Sequence, residues 1–245
     1  MRYLRIVLSI ALFAALLLSV ATVPAAAGWF DRGVKGSGDV ITEERDTEEF
    51  TFIECNIGAD IDVRVGDSYA ITVSVDDNLM ELIRTDVRGG TLEIYAEENF
   101  NSRRGCRIDI TVKSLEGMEI SGSGDIKVAD LREKDFRFEL SGSGDVEIIG
   151  TIDHLEVGLS GSGDIELVGT AVRVDLNIAG SGDIDARELH ADTADVRISG
   201  SGDVQVYVKE SLYGRVSGSG DIDYWGNPAD VSSTVQGSGS IQKRG

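Results

Sequence analysis

Ser-Gly-Ser-Gly-Asp-Ile, at residues 121–126, sets the architecture of this chain, because its core returns at a nearly fixed period. Gly-Ser-Gly-Asp followed by Ile or Val recurs in steps of 18 to 20 residues, and a last, altered copy ends in Ser240. The six aspartates of these copies, called the aspartate ladder below, are Asp125, Asp145, Asp164, Asp183, Asp203 and Asp221. A short motif at a fixed period predicts a solenoid, in which each repeat buries its apolar face against its neighbours.

Apolar and polar residues alternate on both sides of each glycine turn, as in half-buried β-strands. The apolar positions after the turns are Ile126/Val128, Val146/Ile148, Ile165/Leu167, Ile184/Ala186, Val204/Val206 and Ile222/Tyr224. Those before the turns are Phe136/Phe138/Leu140, Leu155/Val157/Leu159, Val174/Leu176/Ile178, Ala194/Val196/Ile198 and Leu212/Val216. With rungs of about 19 residues, this pattern predicts an all-β fold, a parallel β-helix-like solenoid of unspecified hand with rungs ~4.8 Å apart. We attribute the glycine at every bend to a tight turn that needs positive φ.

The chain divides into four segments by composition. Residues 1–27 read as a signal peptide, because Arg2 and Arg5 precede an apolar run and a small-residue cleavage site. Residues 28–35 read as a tether, and residues 121–245 as the regular rungs. The mature chain is therefore expected to be exported, to the periplasm, the extracellular space or the cell surface, with no membrane span.

Residues 36–120 are predicted to be the N-terminal part of the same continuous domain, which would span 36–245. Copies of the turn at 36–39 and 58–61 lie 21 residues apart, measured from Asp39 to Asp60, which is close to one rung. Strands are then expected near 71–75, 91–95 and 108–112, interrupted by a helical turn at 78–83 and a hairpin at Gly89-Gly90. Such an irregular segment would cap the open end of a solenoid.

The charge balance limits the classes of partner. The formal net charge is −20, and removing residues 1–27 takes away two positive charges and no negative ones, which gives −22. Such a surface repels nucleic acid and favours cations or basic partners. The same charge would also keep a long β surface soluble.

The aspartate ladder has two readings. Stacked carboxylates repel each other by roughly 1 kcal/mol per neighbouring pair in water. Two arrangements would relieve this repulsion. In the first, each aspartate accepts hydrogen bonds from the backbone or serine hydroxyls of its own turn. Alternatively, pairs of carboxylates could share Ca²⁺, the one cofactor that the sequence suggests.

A second row lies four residues after each ladder aspartate and is mostly apolar: Ala129, Ile149, Val168, Arg187, Tyr207 and Trp225. Strict alternation would turn this row outward. Either the strand bends and makes a second core face, or the row is an exposed stripe that marks a partner surface or a homo-oligomer contact. Tyr207 and Trp225, with Tyr213 nearby, would form its aromatic end, suited to sugar rings or a protein partner.

The remaining reactive residues are few. Cys55 and Cys106 are both expected to face inward, which in an exported chain favours a disulfide; two small buried hydrophobic residues are the alternative. His154 and His190 lack a metal-ligand partner three or four residues on, and serines occur only in turns. We therefore expect no enzyme activity.

The turn at residues 36–39, the segment 50–75, residues 77–82 and the reiterated Ser-Gly-Ser-Gly-Asp-Ile/Val resemble the bacterial head GIN domain family of putative auto-transporter adhesins. The resemblance covers residues 36–241 and implies an exported β-helix-like domain with an adhesive role and no catalytic residues. We therefore expect a structural or adhesin-like solenoid that presents a repetitive acidic surface. The alternative is a module that binds carbohydrate or another surface polymer through the aromatic residues of its C-terminal rungs.

Overall fold

The computed structural model of the protein describes residues 33–244. The predicted signal peptide and most of the predicted tether lie outside these residues. No helix in the described part of the chain is long and apolar enough to cross a membrane.

The N-terminal part consists of short strands around one 3₁₀ helix, Asp77–Leu82. The strands are β1 (Val34–Lys35), β2 (Val40–Arg45), β3 (Phe52–Cys55), β4 (Asp60–Val65), β5 (Ala70–Asp76), β6 (Ile83–Arg88), β7 (Thr91–Ala96), β8 (Phe100–Asn101), β9 (Arg107–Val112) and β10 (Gly117–Gly122). The predicted hairpin joins β6 to β7, where Gly89 and Gly90 both have positive φ.

The regular rungs are built from longer strands that bend around the solenoid. They are β11 (Ile126–Gly142), β12 (Val146–Leu159), β13 (Ile165–Ile178), β14 (Ile184–Gly200), β15 (Val204–Gly218), β16 (Ile222–Trp225), β17 (Asp230–Gly237) and β18 (Ile241–Lys243). Successive rungs pair in parallel and nearly residue for residue. The predicted β-solenoid with rungs of about 19 residues is confirmed, with about seven turns.

Two faces run along the solenoid. We call the segments that follow the glycine turns the post-turn face and those that precede them the pre-turn face. At β11 the sheet divides: the pre-turn face continues through β10, β3, β7 and β6, and the post-turn face through β4, β9, β5 and β2. Antiparallel pairs, β6 with β7 and β5 with both β9 and β2, complete the N-terminal end.

The core lies between the two faces and follows the alternation seen in the sequence. Stacked inward positions such as Leu140, Leu159 and Ile178 are almost fully buried. The largest buried side chains are Phe50, which precedes β3, and Phe136 and Phe138 in β11. Because each inward residue stacks on its equivalent in the next rung, the burial of apolar area holds neighbouring rungs together.

The glycines of the turns are required mainly by close stacking, so the expectation of positive φ at every bend is wrong. A Cβ added to Gly144 would lie 1.9 Å from the carbonyl oxygen of Gly124, although Gly144 does not have positive φ. Among the turn glycines of the regular rungs, positive φ occurs at Gly161, Gly200, Gly218 and Gly237. Rungs approach so closely here that only a residue without a side chain fits.

The first of the two N-terminal turn copies is not a rung. Residues 36–39 lead into β2, which runs antiparallel to β5. They are fixed against the 3₁₀ helix by hydrogen bonds from Gly38 N to Asp76 Oδ1 (2.6 Å) and from Ser37 Oγ to Asp77 Oδ1 (2.5 Å). The second copy does occupy a rung, because Ile61 in β4 pairs with Ile126 in β11.

Candidate functional site

The aspartate ladder follows the start of the post-turn face, one carboxylate per rung. The pairing of β4 with β11 adds Asp60 to it at the N-terminal side. The ladder side chains are exposed, except that Asp221 is half-buried. Because neighbouring strands lie ~4.8 Å apart, the carboxylates form a row with that spacing.

Most of the carboxylates link their rung to the next one: among the described residues, Asp60, Asp164, Asp183, Asp203 and Asp221 make this contact, whereas Asp125 and Asp145 do not. Asp203 Oδ1 accepts the backbone N–H of Asp221 (2.7 Å), and Asp183 Oδ1 accepts that of Asp203 (2.7 Å). The same contact joins Asp60 to the N–H of Asp125 (3.1 Å). The donors therefore belong to the following rung, whereas the sequence suggested donors in the aspartate's own turn. A charged acceptor makes such a bond stronger than a neutral one.

A shallow groove of about 750 Å³ runs along this row on the post-turn face. Its carboxylates come from five consecutive rungs, about 19 Å from first to last at the spacing of β-strands. We call it the acidic groove; its charged residues are Asp60, Asp62, Arg107, Asp125, Lys127, Asp145, Glu147, Asp164, Glu166, Asp183 and Asp185. Between the two acidic rows the floor is apolar, with Ile126, Val146 and Ile165 buried beneath.

Positive side chains neutralise part of the groove, at its ends and on its central rung. Arg107 pairs with Asp62 and with Asp109 (3.2 Å), and Lys127 pairs with Glu147. Near the other end, Arg187 lies 2.5 Å from Asp185. The hydrogen bonds from Arg187 lower the pKa of the Asp185 carboxyl, although partial burial opposes them.

No calcium site is evident in the part of the chain that the structure describes. Within residues 33–244, no three His, Cys, Asp or Glu side chains are arranged to hold a metal ion. The ladder carboxylates whose hydrogen bonds are described above use Oδ1 for the next rung. Calcium binding by the ladder therefore stays a prediction.

The structure brings two of the three predicted aromatic residues together. Tyr207 in β15 pairs with Trp225 in β16, and both are half-buried. The Tyr207 ring meets the His190 ring edge-on at 4.6 Å between centroids, and the Arg187 guanidinium lies 5.8 Å from the Trp225 ring centre. Tyr213 lies apart on the pre-turn face, where Arg215 donates a hydrogen bond to its hydroxyl (3.1 Å).

The rest of the apolar row lies between the two predicted arrangements, a second core face and an exposed stripe. Ala129, Ile149 and Val168 are half-buried, and Arg187 is exposed. The row is thus neither a second core nor a fully exposed stripe.

The pre-turn face carries a charged cluster that sequence reasoning missed. His154 Nε2 lies 2.9 Å from Asp175, whose other partner is Arg173 (2.8 Å). Burial alone would raise the pKa of Asp175, but the hydrogen bonds from Arg173 and His154 outweigh it and lower the pKa. Burial raises the pKa of the adjacent Asp195, whose Oδ1 is buried without a hydrogen-bond partner.

The predicted disulfide is not present, since Cys55 and Cys106 are both buried free thiols. Both face the core as expected, and the Cys55 thiol contacts the carbonyl oxygen of Ile57 (3.6 Å). Burial raises the pKa of Cys55 to about 11 and that of Cys106 to about 12. Because thiolate is the reactive form, these thiols are poor participants in disulfide exchange.

The second acidic row of the groove was visible in the sequence but was not identified as part of a site. Glu147, Glu166 and Asp185 lie two residues after ladder aspartates and were read only as outward polar positions. Alternation alone could have found them, because residues two apart on a strand share a face.

The comparisons with known proteins agree with this architecture. Residues 49–228 match the family described as "putative auto-transporter adhesin, head GIN domain". No curated protein matches the chain.

Three solved structures share the fold. A "putative adhesin" from Bacteroides fragilis is 28% identical with a TM-score of 0.82, and covers 86% of this chain and 100% of its own. A "putative lipid binding protein" from Parabacteroides distasonis is 30% identical with a TM-score of 0.65, at 86% and 99% coverage. A "putative adhesin" from the same species, at 22% identity and a TM-score of 0.77 with 86% and 99% coverage, shows the shared fold alone.

The family model thus spans more than half of the sequence, including most of the glycine turns and the whole acidic groove. The chain belongs to the head GIN domain family of putative auto-transporter adhesins.

Proposed function

We propose that this chain is an exported, non-catalytic, adhesin-like β-solenoid whose acidic groove binds an extended, positively charged polymer. The observation that carries the proposal is the groove itself, in which carboxylates repeat rung by rung over five rungs. An extended partner with regularly spaced amino groups matches a row of acceptors better than a compact ligand does. Membership of an adhesin family supports a role at a surface.

Electrostatics favours such a partner. The chain has a formal net charge of −20 and an acidic composition (pI ≈ 4.4), and Glu166 on the fourth of the five rungs of the groove is exposed. Acidic clefts concentrate cations and speed their association. Neither histidine lines the groove: His154 pairs with Asp175 and Asp135, and His190 packs on Tyr207.

The test compares two double variants of equal net charge. Glu147→Gln with Glu166→Gln removes two of the nine carboxylate charges of the groove, whereas Glu54→Gln with Glu119→Gln removes two from adjacent rungs on the pre-turn face. Binding of poly-L-lysine and of chitosan is measured by biolayer interferometry at low and at physiological salt, with dextran as the uncharged reference. We expect the groove variant to lose several-fold in affinity and the control to retain it, because the partner contacts one face.

Equal losses in the two variants would contradict the proposal, since they would show attraction to net charge alone. Binding that survives both variants would also contradict it. Salt should weaken the interaction in the parent protein, because exposed charges are screened beyond about 8 Å at physiological ionic strength.

A second candidate function rests on the pairing of Tyr207 with Trp225 on adjacent rungs. Two half-exposed rings in register would let consecutive sugar rings of a polysaccharide stack on them. Tyr207→Ala with Trp225→Ala should then abolish retention on a neutral polysaccharide column, while Tyr213→Ala on the other face should not. A parent protein that is not retained on any neutral polysaccharide would exclude this function.

Calcium binding by the aspartate ladder is kept as a separate proposal with a small expected effect. Ladder carboxylates already accept N–H groups of the next rung, which reduces their value as calcium ligands. A titration with millimolar Ca²⁺ should therefore move the thermal unfolding midpoint by a few degrees at most. An increase of tens of degrees would show instead that the ladder is a calcium site.

A further inference from the structure

The solenoid has open sheet edges at both ends, and they differ in charge. Within residues 33–244, β2 pairs only with β5, β6 only with β7, β17 only with β15, and β18 only with β16. Two of these edges carry charged side chains: β2 ends in Glu43, Glu44 and Arg45, and β6 contains Arg84, Asp86 and Arg88. Charges on an edge strand discourage pairing with another chain.

The C-terminal edge lacks this protection. We call residues 230–243, which contain β17, the last turn and β18, the terminal rung. From residue 231 to residue 242 the sequence contains no charged side chain, whereas the aligned span of each other regular rung contains three or four. Register shows the replacements: Arg215 aligns with Thr234, and Asp223 aligns with Gln242. The ladder position that holds Asp221 in the preceding rung is Ser240, whose N–H and hydroxyl both donate to Asp221.

The terminal rung also exposes apolar side chains that have core positions. Val231 aligns with Leu212 and Val235 with Val216, both of which are buried. Val231 and Val235 are nevertheless 44% and 41% exposed, because nothing in the described chain covers them. All eight residues of β17 are exposed. The end of the core is therefore open to water along a strand whose one charged side chain is Asp230, at its start.

We propose that the terminal rung is the docking surface for a second copy of this chain. A protein with a net charge of −20 repels its own copies, so a self-contact is favourable only where charge has been removed. The one stretch of rung without charge coincides with an unpaired strand edge and two uncovered core valines. A basic partner would bind more strongly to the acidic surface of the other rungs.

A two-fold arrangement gives this contact a specific register. If β17 pairs antiparallel with its copy about Ser233, each Val231 lies opposite the partner's Val235 on the core side. Ser232 then lies opposite the partner's Thr234 on the outer side. The two-fold axis preserves which side faces the core, so both cores continue into each other. The contact is closed, and the expected assembly is a dimer.

The first test measures mass in solution by light scattering on the full protein. The parent protein should be a dimer, and Val231→Lys with Val235→Lys should be a monomer, since two lysines would meet two others across the edge. Val172→Lys is the matched control, because Val172 is 53% exposed on a regular rung and should leave the dimer intact. Far-ultraviolet circular dichroism and the thermal unfolding midpoint check that each variant is folded.

The second test restores the contact by charge reversal. A variant with Ser232→Lys and Thr234→Lys should be monomeric, as should one with Ser232→Asp and Thr234→Asp. Mixing the two should give a heterodimer, because each lysine then lies opposite an aspartate. A lesion that merely unfolds the last rung would not be rescued by mixing.

Three results would overturn the proposal. One is a parent protein that stays monomeric at the highest concentration reached. Another is a mass that grows without limit, which would indicate head-to-tail stacking. The third is loss of the dimer in Ile149→Lys with Val168→Lys but not in the β17 variants, which would place the contact on the half-buried apolar row. None of these results depends on whether the acidic groove binds a polymer.

Discussion

A ladder aspartate joins two rungs through a hydrogen bond that the backbone alone cannot make. At Asp203, the side-chain oxygen receives the N–H of Asp221, while the backbone carbonyl of Asp221 accepts the N–H of Val204. The carboxylate thus continues the pairing of the strands into the glycine turn. The same contact recurs at Asp60, Asp164, Asp183 and Asp221, so this geometry accounts for aspartate at most of the ladder positions.

Two substitutions of Asp203 distinguish the contribution of its hydrogen bond to stability from the contribution of its charge. Asp203→Ala should lower the unfolding free energy by about 1–2 kcal/mol, because the N–H of Asp221 loses its acceptor. Asp203→Asn keeps an oxygen acceptor and removes one charge from a row of like charges, so its stability should stay near that of the parent protein. Urea unfolding followed by circular dichroism measures both. Equal destabilisation of the two variants would show that the charge, and not the hydrogen bond, matters.

The turn glycines make a second prediction at this scale. Gly144→Ala should lower the unfolding free energy by about 3 kcal/mol, since its Cβ would lie 1.9 Å from the Gly124 carbonyl and the rungs would have to separate. Ser143→Ala in the same turn is the control and should cost much less, because Ser143 is exposed. A mild effect of Gly144→Ala in thermal unfolding would contradict close stacking as the reason for glycine.

Asp185 predicts a pH dependence with a defined sign. Hydrogen bonds from Arg187 lower its pKa in the folded state, so the folded protein binds this proton less readily than the unfolded chain does. Its contribution to stability is therefore present above the unfolded pKa of about 3.9 and is lost as the pH falls through the folded pKa. Asp185→Asn should be less stable than the parent protein at pH 7, and the difference should vanish at the lowest pH.

Asp195 serves as the control for that measurement. Burial raises its pKa, so its ionised form at neutral pH is unfavourable in the folded state. Asp195→Asn should therefore reduce the unfolding free energy at pH 7 by less than Asp185→Asn does, although both remove one ion-pair partner. The opposite order in urea unfolding would contradict the assigned directions.

At the scale of elements, the sequence predicts the rungs well and the N-terminal strands less well. Alternation identified the inward residues of β11 to β15, because in a rung the pattern within one strand repeats in its neighbours. Residues 36–39 carry the same turn motif, yet β2 pairs antiparallel with β5, a long-range choice that local pattern does not encode. A short motif therefore indicates a turn, and only its strand partners decide whether that turn belongs to a rung.

The candidate site was predictable in part for the same reason. The aspartate ladder follows from the period and the second acidic row from alternation, whereas the groove that the two rows line together was not predicted. The disulfide prediction failed although the two thiols are near enough for Cys55 to help raise the pKa of Cys106, because a disulfide needs a specific geometry that inward orientation does not supply.

At the scale of the whole molecule, a solenoid is stabilised by contacts between adjacent rungs and has almost no contacts between distant ones. The acidic groove is therefore a sum of equivalent rungs, and its length is set by their number. If two copies also join at the terminal rung, one assembly carries two grooves, and a polymer long enough to reach both would bind with higher avidity.

This modularity predicts which deletions the fold tolerates. Strands β12 and β13 pair without a shift from Val146–Ile165 to Leu159–Ile178, so β13 has the register needed to replace β12 against β11. Deleting residues 146–164 removes one full rung and joins Asp145 to Ile165. The product should fold, with the same β-sheet signal per residue in circular dichroism and a lower unfolding midpoint, because one interface between rungs is lost. Deleting residues 146–155 removes half a rung, reverses which residues face the core, and should prevent folding. If both deletion variants fold, the register between rungs is not what holds the solenoid together. If neither folds, rungs that are not adjacent depend on each other.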